Sequence, residues 1–336
     1  LGVDHLNDVD LHDIEQIEII KGPSSLLYAN GTIGGIINVV NNTIAREDFD
    51  GQEVNAGLET QSANDGDIQE FNYKNLLGGW LNFSLGYKNT ELGNFDIPDG
   101  AVVHEEEDHG DDDHDEHEEE ALSYVENSDF ASEAKQFGVS RTGEWGYFGM
   151  SYENLESLYG IPFHGDEHGD EHGDDDHDDE HGDDDDEHGD EHEGERIFST
   201  TDQTSYNLAG LYNINGGLIN SISYNWRDTE YSLTEAHAEE EGHDDHEEEH
   251  EEHAPTVFTN DATEYGAIFD LSSDSFTQKV ALNFVDEDSA IVGEEAFMNP
   301  ANSEEFTIGY FVSTDFDLFY LDAGFRLDQI ERTGSV

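Results

Sequence analysis

Imidazole and carboxylate side chains dominate three tracts of this chain, His104–Glu120, His164–Glu195 and Glu235–His253. The tracts hold 16 of the 18 histidines and 42 of the 84 acidic residues, with no Lys, Arg, Cys or Met among them. Carboxylates alone suit a hard cation such as Ca²⁺, whereas added imidazoles shift the preference toward Zn²⁺, Ni²⁺ or Cu²⁺. The candidate ligands are His104, His109, His114 and His117 in the first tract, and His164, His168, His172, His177, His181, His188 and His192 in the second. The third tract adds His237, His243, His246, His250 and His253. Glycines recur in the second tract (Gly165, Gly169, Gly173, Gly182, Gly189). Together with dense like charge they disfavour a helix and keep a metal-free loop expanded. Overlapping ligand sets of this kind give several labile sites rather than one tight one, which suits capture and hand-over. The competing reading is a solvated acidic brush, which has little need of so many histidines.

Other motifs of chemical interest are weaker. His246-Glu247-Glu248-Glu249-His250 spells the HExxH pattern of zinc proteases. That motif needs a helix, a third ligand and a cleft, and a low-complexity acidic loop offers none of them. Gly22, Gly31, Gly34 and Gly35 are followed by no Gly-Lys-Ser/Thr and do not meet GxGxxG, so they read as tight turns rather than a phosphate cradle. No nucleophile elbow or Ser/His/Asp set stands out, and the chain is expected not to be an enzyme and to carry no prosthetic group.

Composition narrows the classes further. The formal net charge is −73 over 336 residues, and outside the tracts 42 acidic residues still face all 11 basic ones. A nucleic-acid partner needs a basic face and is excluded, as is a cationic helix on an anionic membrane. The absence of Cys removes disulfides and thiolate metal sites, and two Met argue against a soft Cu(I) site. No run of 18 apolar residues occurs, which leaves open a β-barrel, whose strands show only alternation.

That alternation appears from about Gly51 onward. Leu81, Phe83, Leu85 and Tyr87 alternate with polar or small residues, as do Ile222, Tyr224 and Trp226, and Phe306, Ile308, Tyr310 and Val312. Aromatic residues near segment ends (Tyr73, Trp80, Tyr87, Trp145, Tyr147, Tyr152, Trp226, Tyr231) read as interface girdles. Eleven strands are expected, near 52–62, 67–76, 79–90, 135–142, 145–154, 198–213, 217–233, 257–271, 275–285, 304–314 and 318–331. Short and long connections should alternate strictly, which puts all three tracts on one side, the outer side of an outer-membrane barrel. Residues 1–44 differ: they read as a compact α+β piece, with Ile36–Val40 a buried-type strand. An odd, unclosed strand count and an N-terminus without Met make the chain read as a fragment.

Ile14–Tyr28 and Gly31–Val40 resemble the late plug-domain signature of TonB-dependent outer-membrane receptors. Asp96-Ile97-Pro98, Tyr159-Gly160-Ile161-Pro162 running into a His-rich loop, Gly293–Phe297 and Asp4-His5 are similar to the zinc-uptake (ZnuD-like) branch of that family. The resemblance implies a transmembrane antiparallel β-barrel of about 22 strands, occluded by an N-terminal plug. Residues 1–44 would end the plug and 45–336 would form about half of the barrel, in the outer membrane of a Gram-negative bacterium. It implies import of zinc or a zinc complex, driven by TonB through an N-terminal segment absent here, with outer-membrane lipid around the wall. A deeper metal site would join plug and loops through Asp4, His5, His164, Glu294 and Glu295, against the plainer reading of Glu294 and Glu295 as ordinary loop charges. The physics leaves nickel and copper open. A haem, siderophore or other chelate cargo is an alternative, as is a surface metal-binding protein without transport.

Overall fold

The computed structural model describes residues 14–28, 35–98, 101, 123–162, 196–214, 216–238 (backbone only for 237 and 238), 254–293, 296–316 and 318–334. Among these residues no helix is long and apolar enough to cross a membrane. The N-terminal segment pairs β1 (Ile14–Lys21) with β2 (Gly35–Asn41) in an antiparallel hairpin. Among its described residues the one helical element is a 3-10 turn, Gly22–Leu27, opened by Pro23. The small two-stranded pair β6 (Phe95–Asp96) and β7 (Tyr124–Val125) brackets the first tract.

Everything else is one meander of eleven antiparallel strands. They are β3 (Gln52–Gln61), β4 (Gly66–Leu77), β5 (Leu81–Leu92), β8 (Phe130–Gly143), β9 (Gly146–Gly160), β10 (Arg196–Asn213), β11 (Ser221–Ala238), β12 (Thr256–Asp270), β13 (Thr277–Val292), β14 (Ala301–Phe316) and β15 (Phe319–Gly334). β3 and β15 each have one edge without a strand partner among the described residues. Each expected strand is present, and the tract-bearing connections all leave the same end of the sheet. Strict alternation of connection length fails once, because β3 and β4 are joined at the tract end by only Ser62–Asp65.

The two faces of the sheet follow from the pleat. Phe148, Met150 and Tyr152 of β9 share a face with Tyr206 and Leu208 of β10 and with Tyr224 and Trp226 of β11. Rings on this face meet across strands, Tyr152 with Tyr206 at 5.3 Å and Tyr265 with Phe284 at 6.1 Å between centroids. Many of these side chains are exposed, Met150 at 45% and Tyr265 at 52%. A broad exposed apolar band is costly in water and natural against lipid. The opposite face carries Asn82, Ser84, Gln136, Gly138, Ser140, Ser151 and Asn207, and against it lies the N-terminal segment. Tyr147 and Tyr231, expected in a girdle, belong by register to this inner face.

Toward the tracts the apolar phase inverts. On β11, outward Ile222, Tyr224 and Trp226 give way to Asp228 and Glu230, while inward Tyr231 and Leu233 become apolar. β9 changes from outward Phe148, Met150 and Tyr152 to outward Asn154 and Glu156, with inward Leu155 and Tyr159. β13 does the same between Phe284 and Asp286. Above the hydrocarbon the outward face meets water and the inward face becomes the packed one. Tyr231 and Phe258 sit 6.0 Å apart there, and Tyr159, Ile161 and Ile197 form a buried cluster with Phe130. The inversion explains why several strands outrun their expected ends: β9 reaches Gly160, β11 Ala238 and β13 Val292. About 9–11 residues cross a membrane as a tilted strand, whereas β10 and β11 have 18 residues each.

Two attachments hold the N-terminal segment to the inner face. Thr43–Phe49 is laced to β5 and β8 by hydrogen bonds, with Ser84 Oγ donating to the Thr43 carbonyl at 2.7 Å and Ser140 Oγ to the Ala45 carbonyl at 2.7 Å. The 3-10 turn inserts Leu26 and Leu27 among Ile268, Ala281 and Phe311. One expectation fails here. Ile37 and Val39 of β2, read as buried, are exposed beside Ile17 and Ile19 on one face of the hairpin, and of that stretch only Val40 is buried.

Candidate functional site

Where β8–β12 face the N-terminal segment they leave a cavity of about 600 Å³. That is within the range of small-molecule sites. The segment contributes Asn38, Asn41, Ile44 and Arg46, and the wall contributes Gln136, Ser151, Glu153, Asn207, Arg227, Asn260 and Glu264 among others. The inward phase of three adjacent strands puts small polar side chains at one level. Arg227 Nε donates to Asn207 Oδ1 at 3.1 Å, Asn207 Nδ2 to Ser151 Oγ at 3.1 Å, and Ser151 Oγ to Glu153 Oε1 at 3.2 Å. This relay runs from β11 through β10 to β9 and fixes the Arg227 side chain at its Nε, leaving the terminal nitrogens free of it. On the other side of the cavity Thr43 Oγ1 donates to Gln136 Oε1 at 2.6 Å.

Across the hairpin, Asn38 Nδ2 donates to Glu18 Oε2 at 2.9 Å. Tyr28, at the end of the 3-10 turn, has its hydroxyl pKa raised, first by burial and then by the negative Glu18, against the opposing pull of Arg46. The cavity thus offers amides, hydroxyls and a few separated charges. It can bind a polar solute.

Asp4, His5, His104, His109, His114, His117, His164, His168, His172, His177, His181, His188 and His192 lie outside the described residues, as do His243, His246, His250, His253, Glu294 and Glu295. His237 is described in backbone only, paired with Ile197 in the β10–β11 register. Among the described residues no group of three or more His, Asp or Glu is placed to hold a metal. The topology does bring the roots of these segments to one rim. The connections β5–β8, β9–β10, β11–β12 and β13–β14, which hold the three tracts and Glu294–Glu295, all open at one end. The root of the second tract is clamped. Arg196 pairs with Asp129 at 2.5 Å, the Gly160 N–H donates to the Asp129 carbonyl at 3.0 Å, and the Ile161 N–H donates to the Ile197 carbonyl at 2.9 Å. Sequence reasoning passed over Arg46, Arg227, Asn207 and Ser151. The available signal was the scarcity of base, since any of only 11 basic residues in so acidic a chain is conspicuous.

Residues 1–36 match the TonB-dependent receptor plug domain. Over 94 residues, 28% of this chain and 14% of the relative, the chain is 33% identical to the vitamin B12 transporter BtuB of Vibrio vulnificus. Over 97 residues, 27% of this chain and 11% of the relative, it is 38% identical to a probable TonB-dependent receptor, BfrD, of Bordetella pertussis. Two variants of the FrpB iron transporter from Neisseria meningitidis share the fold, with TM-scores of 0.63 and 0.61 at 11% identity. Those alignments cover 95% and 96% of this chain but 47% and 48% of the solved chains, so the chain spans about half their length. Residues 1–36 are therefore plug-derived, the chain is homologous to TonB-dependent receptors, and the sheet is the wall of an outer-membrane barrel.

Proposed function

We propose that the chain forms the plug-to-wall portion of a TonB-dependent outer-membrane transporter that captures zinc, as ion or complex, and imports it. One observation carries this reading: three His/acid tracts leave the same end of a sheet whose inner face seats a plug segment. The tracts concentrate the cation by field and by weak mixed N/O ligation. The cargo then moves to the plug, and TonB displaces the plug to release it. Imidazole must be neutral to ligate, and its ordinary pKa is about 6.5, so zinc capture weakens as pH falls below about 6. Retained affinity at about pH 5 in zinc titrations would contradict imidazole ligation.

The direct test is accumulation of radiolabelled zinc by zinc-starved cells expressing the full-length protein, with and without TonB. Uptake that needs TonB and falls on deletion of 104–120, 164–195 and 235–253 is the expected result. Support of growth on haem or a siderophore, with zinc uptake unchanged by the protein, would replace the cargo. Zinc binding without TonB-dependent uptake would make it a surface metal-binding protein.

A further inference from the structure

Above its aromatic rim the outward face of the wall turns polar, and a groove of about 410 Å³ opens there. That volume is within the range of small-molecule sites. The groove runs over β5, β8, β9, β10 and β11 on the membrane side, away from the lumen. Two rows of outward side chains build it. In the row nearer the tracts, Glu91 stands opposite Ala131, Ala131 opposite Leu158, and Leu158 opposite Thr200. The short Ala131 side chain keeps the floor low. In the row nearer the membrane, Glu133 stands opposite Glu156, and Glu156 opposite Asp202.

Like charges directly opposite on adjacent strands repel. Of these four carboxylates, Glu133 alone has an ion-pair partner among the described residues: Lys135 pairs with it, and the Tyr87 hydroxyl donates to it at 3.0 Å. Glu91 and Asp202 accept only from amides, Asn89 at 3.0 Å and Asn154 at 3.4 Å, and Glu156 is exposed. The groove therefore calls for positive charge. A bare divalent cation needs converging ligands, and among the described residues no three His, Asp or Glu side chains are placed to hold one. Carboxylates strung across four strands suit a bulkier cation with several donors, and a primary ammonium has three. Thr200, Ser232 and Thr234 add hydroxyls for the rest of a polar ligand. The place on the wall names the class of that ligand. Four residues down the same strands from Glu156 and Asp202, Tyr152 and Tyr206 face outward with their rings 5.3 Å apart. Tyrosines of this kind mark the edge of the hydrocarbon. Four residues rise about 13 Å along a strand, and less along the membrane normal because barrel strands tilt. The groove thus lies at the level of lipid headgroups.

We infer that this groove binds the headgroup of an amine-bearing membrane lipid, with the ammonium between Glu156 and Asp202 and the polar remainder over Ala131 and Thr200. The acyl chains then run down the wall past Tyr152 and Tyr206 onto the apolar band. The site uses no residue of the tracts or of the lumen, so it stands apart from the zinc reading.

The test uses the full-length protein in nanodiscs containing equal amounts of phosphatidylethanolamine, phosphatidylcholine and phosphatidylglycerol, with EDTA present. Lipids retained on the protein are then identified by native mass spectrometry. The ethanolamine and choline lipids share phosphate and glycerol and differ in the N–H donors. Retention of the ethanolamine lipid is expected to exceed that of the choline lipid about 10-fold, the worth of two or three exposed charge pairs. Glu156 and Asp202 are exposed, so their substitution leaves the fold intact. E156Q combined with D202N should reduce the preference to about 2-fold or less. D288N, an exposed outward carboxylate on β13 outside the groove, should leave it unchanged. Equal retention of ethanolamine and choline lipids overturns the proposal, as does a preference that survives in the double variant. An equal loss in D288N would assign the preference to the net charge of the wall and also overturn the site. Retention of phosphatidylglycerol that appears only when magnesium replaces EDTA, without any ethanolamine preference, would put a metal bridge in place of the ammonium.

Discussion

The N-terminal segment holds the wall in two places that use opposite physics. Thr43–Phe49 is a polar strap: wall hydroxyls donate to its carbonyls, and Asn82, 1% exposed, accepts from the Phe49 N–H at 2.9 Å and donates to Asp48 at 3.2 Å. Thr142 Oγ1 also donates to Asp48. Pro23–Leu27 is an apolar knob, with Leu27 3% exposed and Leu26 lying over Gly309 and Gly324. Hydrogen bonds are directional, so the strap has one register and loses several bonds if it slides. Apolar contact is not directional, and the knob can re-seat within its slot. Tight approach to the wall is obtained in both places by glycine, but what faces each glycine differs. At Gly138 it is the Thr43 carbonyl, backbone that cannot swing away, and at Gly324 it is the tip of Leu26.

Limited proteolysis reads the two attachments separately, because trypsin cuts after Arg46 when the strap opens and after Lys21 when the knob does. The largest expected effect is at Gly138→Ala, whose new Cβ would sit 1.8 Å from the Thr43 carbonyl oxygen. Overpacking against backbone should weaken the strap by about 3 kcal/mol and speed cleavage after Arg46 about 100-fold. Gly324→Ala puts its Cβ 2.2 Å from Leu26 Cδ2, yet it should cost only about 1 kcal/mol because a side-chain tip yields. Equal effects at the two glycines would erase the distinction drawn here.

Leu27→Ala comes next, at about 2 to 3 kcal/mol from the cavity it leaves, read as faster cleavage after Lys21 with the Arg46 site unaffected. Acceleration at both sites would show that knob and strap open as one unit. Asn82→Ala leaves the half-buried Phe49 N–H without its acceptor and should cost about 1 to 2 kcal/mol, seen at Arg46. The smallest effect is Thr43→Val, which keeps shape and removes the bond to Gln136, for about 1 kcal/mol. No change on Thr43→Val together with a large change on Leu27→Ala at Arg46 would invert the comparison.

Some of this architecture was legible residue by residue. Leu81, Phe83 and Leu85 alternate with Asn82, Ser84 and Gly86, and that period alone puts three apolar side chains on one face and the small polar ones on the other. Gly78 and Gly79, both with positive φ, mark the turn that precedes this strand. The inversion near the membrane edge was not legible, because a run such as Asn154-Leu155-Glu156 keeps the period and changes only the face, which a search for one continuous apolar face reads as the end of the strand. For the tracts, ligand types were plain in the sequence, but which side chains share an ion is set by loop closure, and period carries no information about it.

Local chemistry by itself determined the eleven strands, the shared end of the tract-bearing loops and the plug signature, because side-chain alternation and turn residues act over a few positions. Only the tertiary structure decided what the inner face does. Ser84 and Ser140 reach the strap across 41 and 95 residues of sequence, and Arg227 comes to line one cavity with Arg46. Such pairings depend on how the sheet carries distant strands past the plug segment, and no local rule encodes that path. Below the inversion the inward faces of these strands carry the same small polar residues, so only contact in space distinguishes a residue that seats the N-terminal segment from one that lines the cavity.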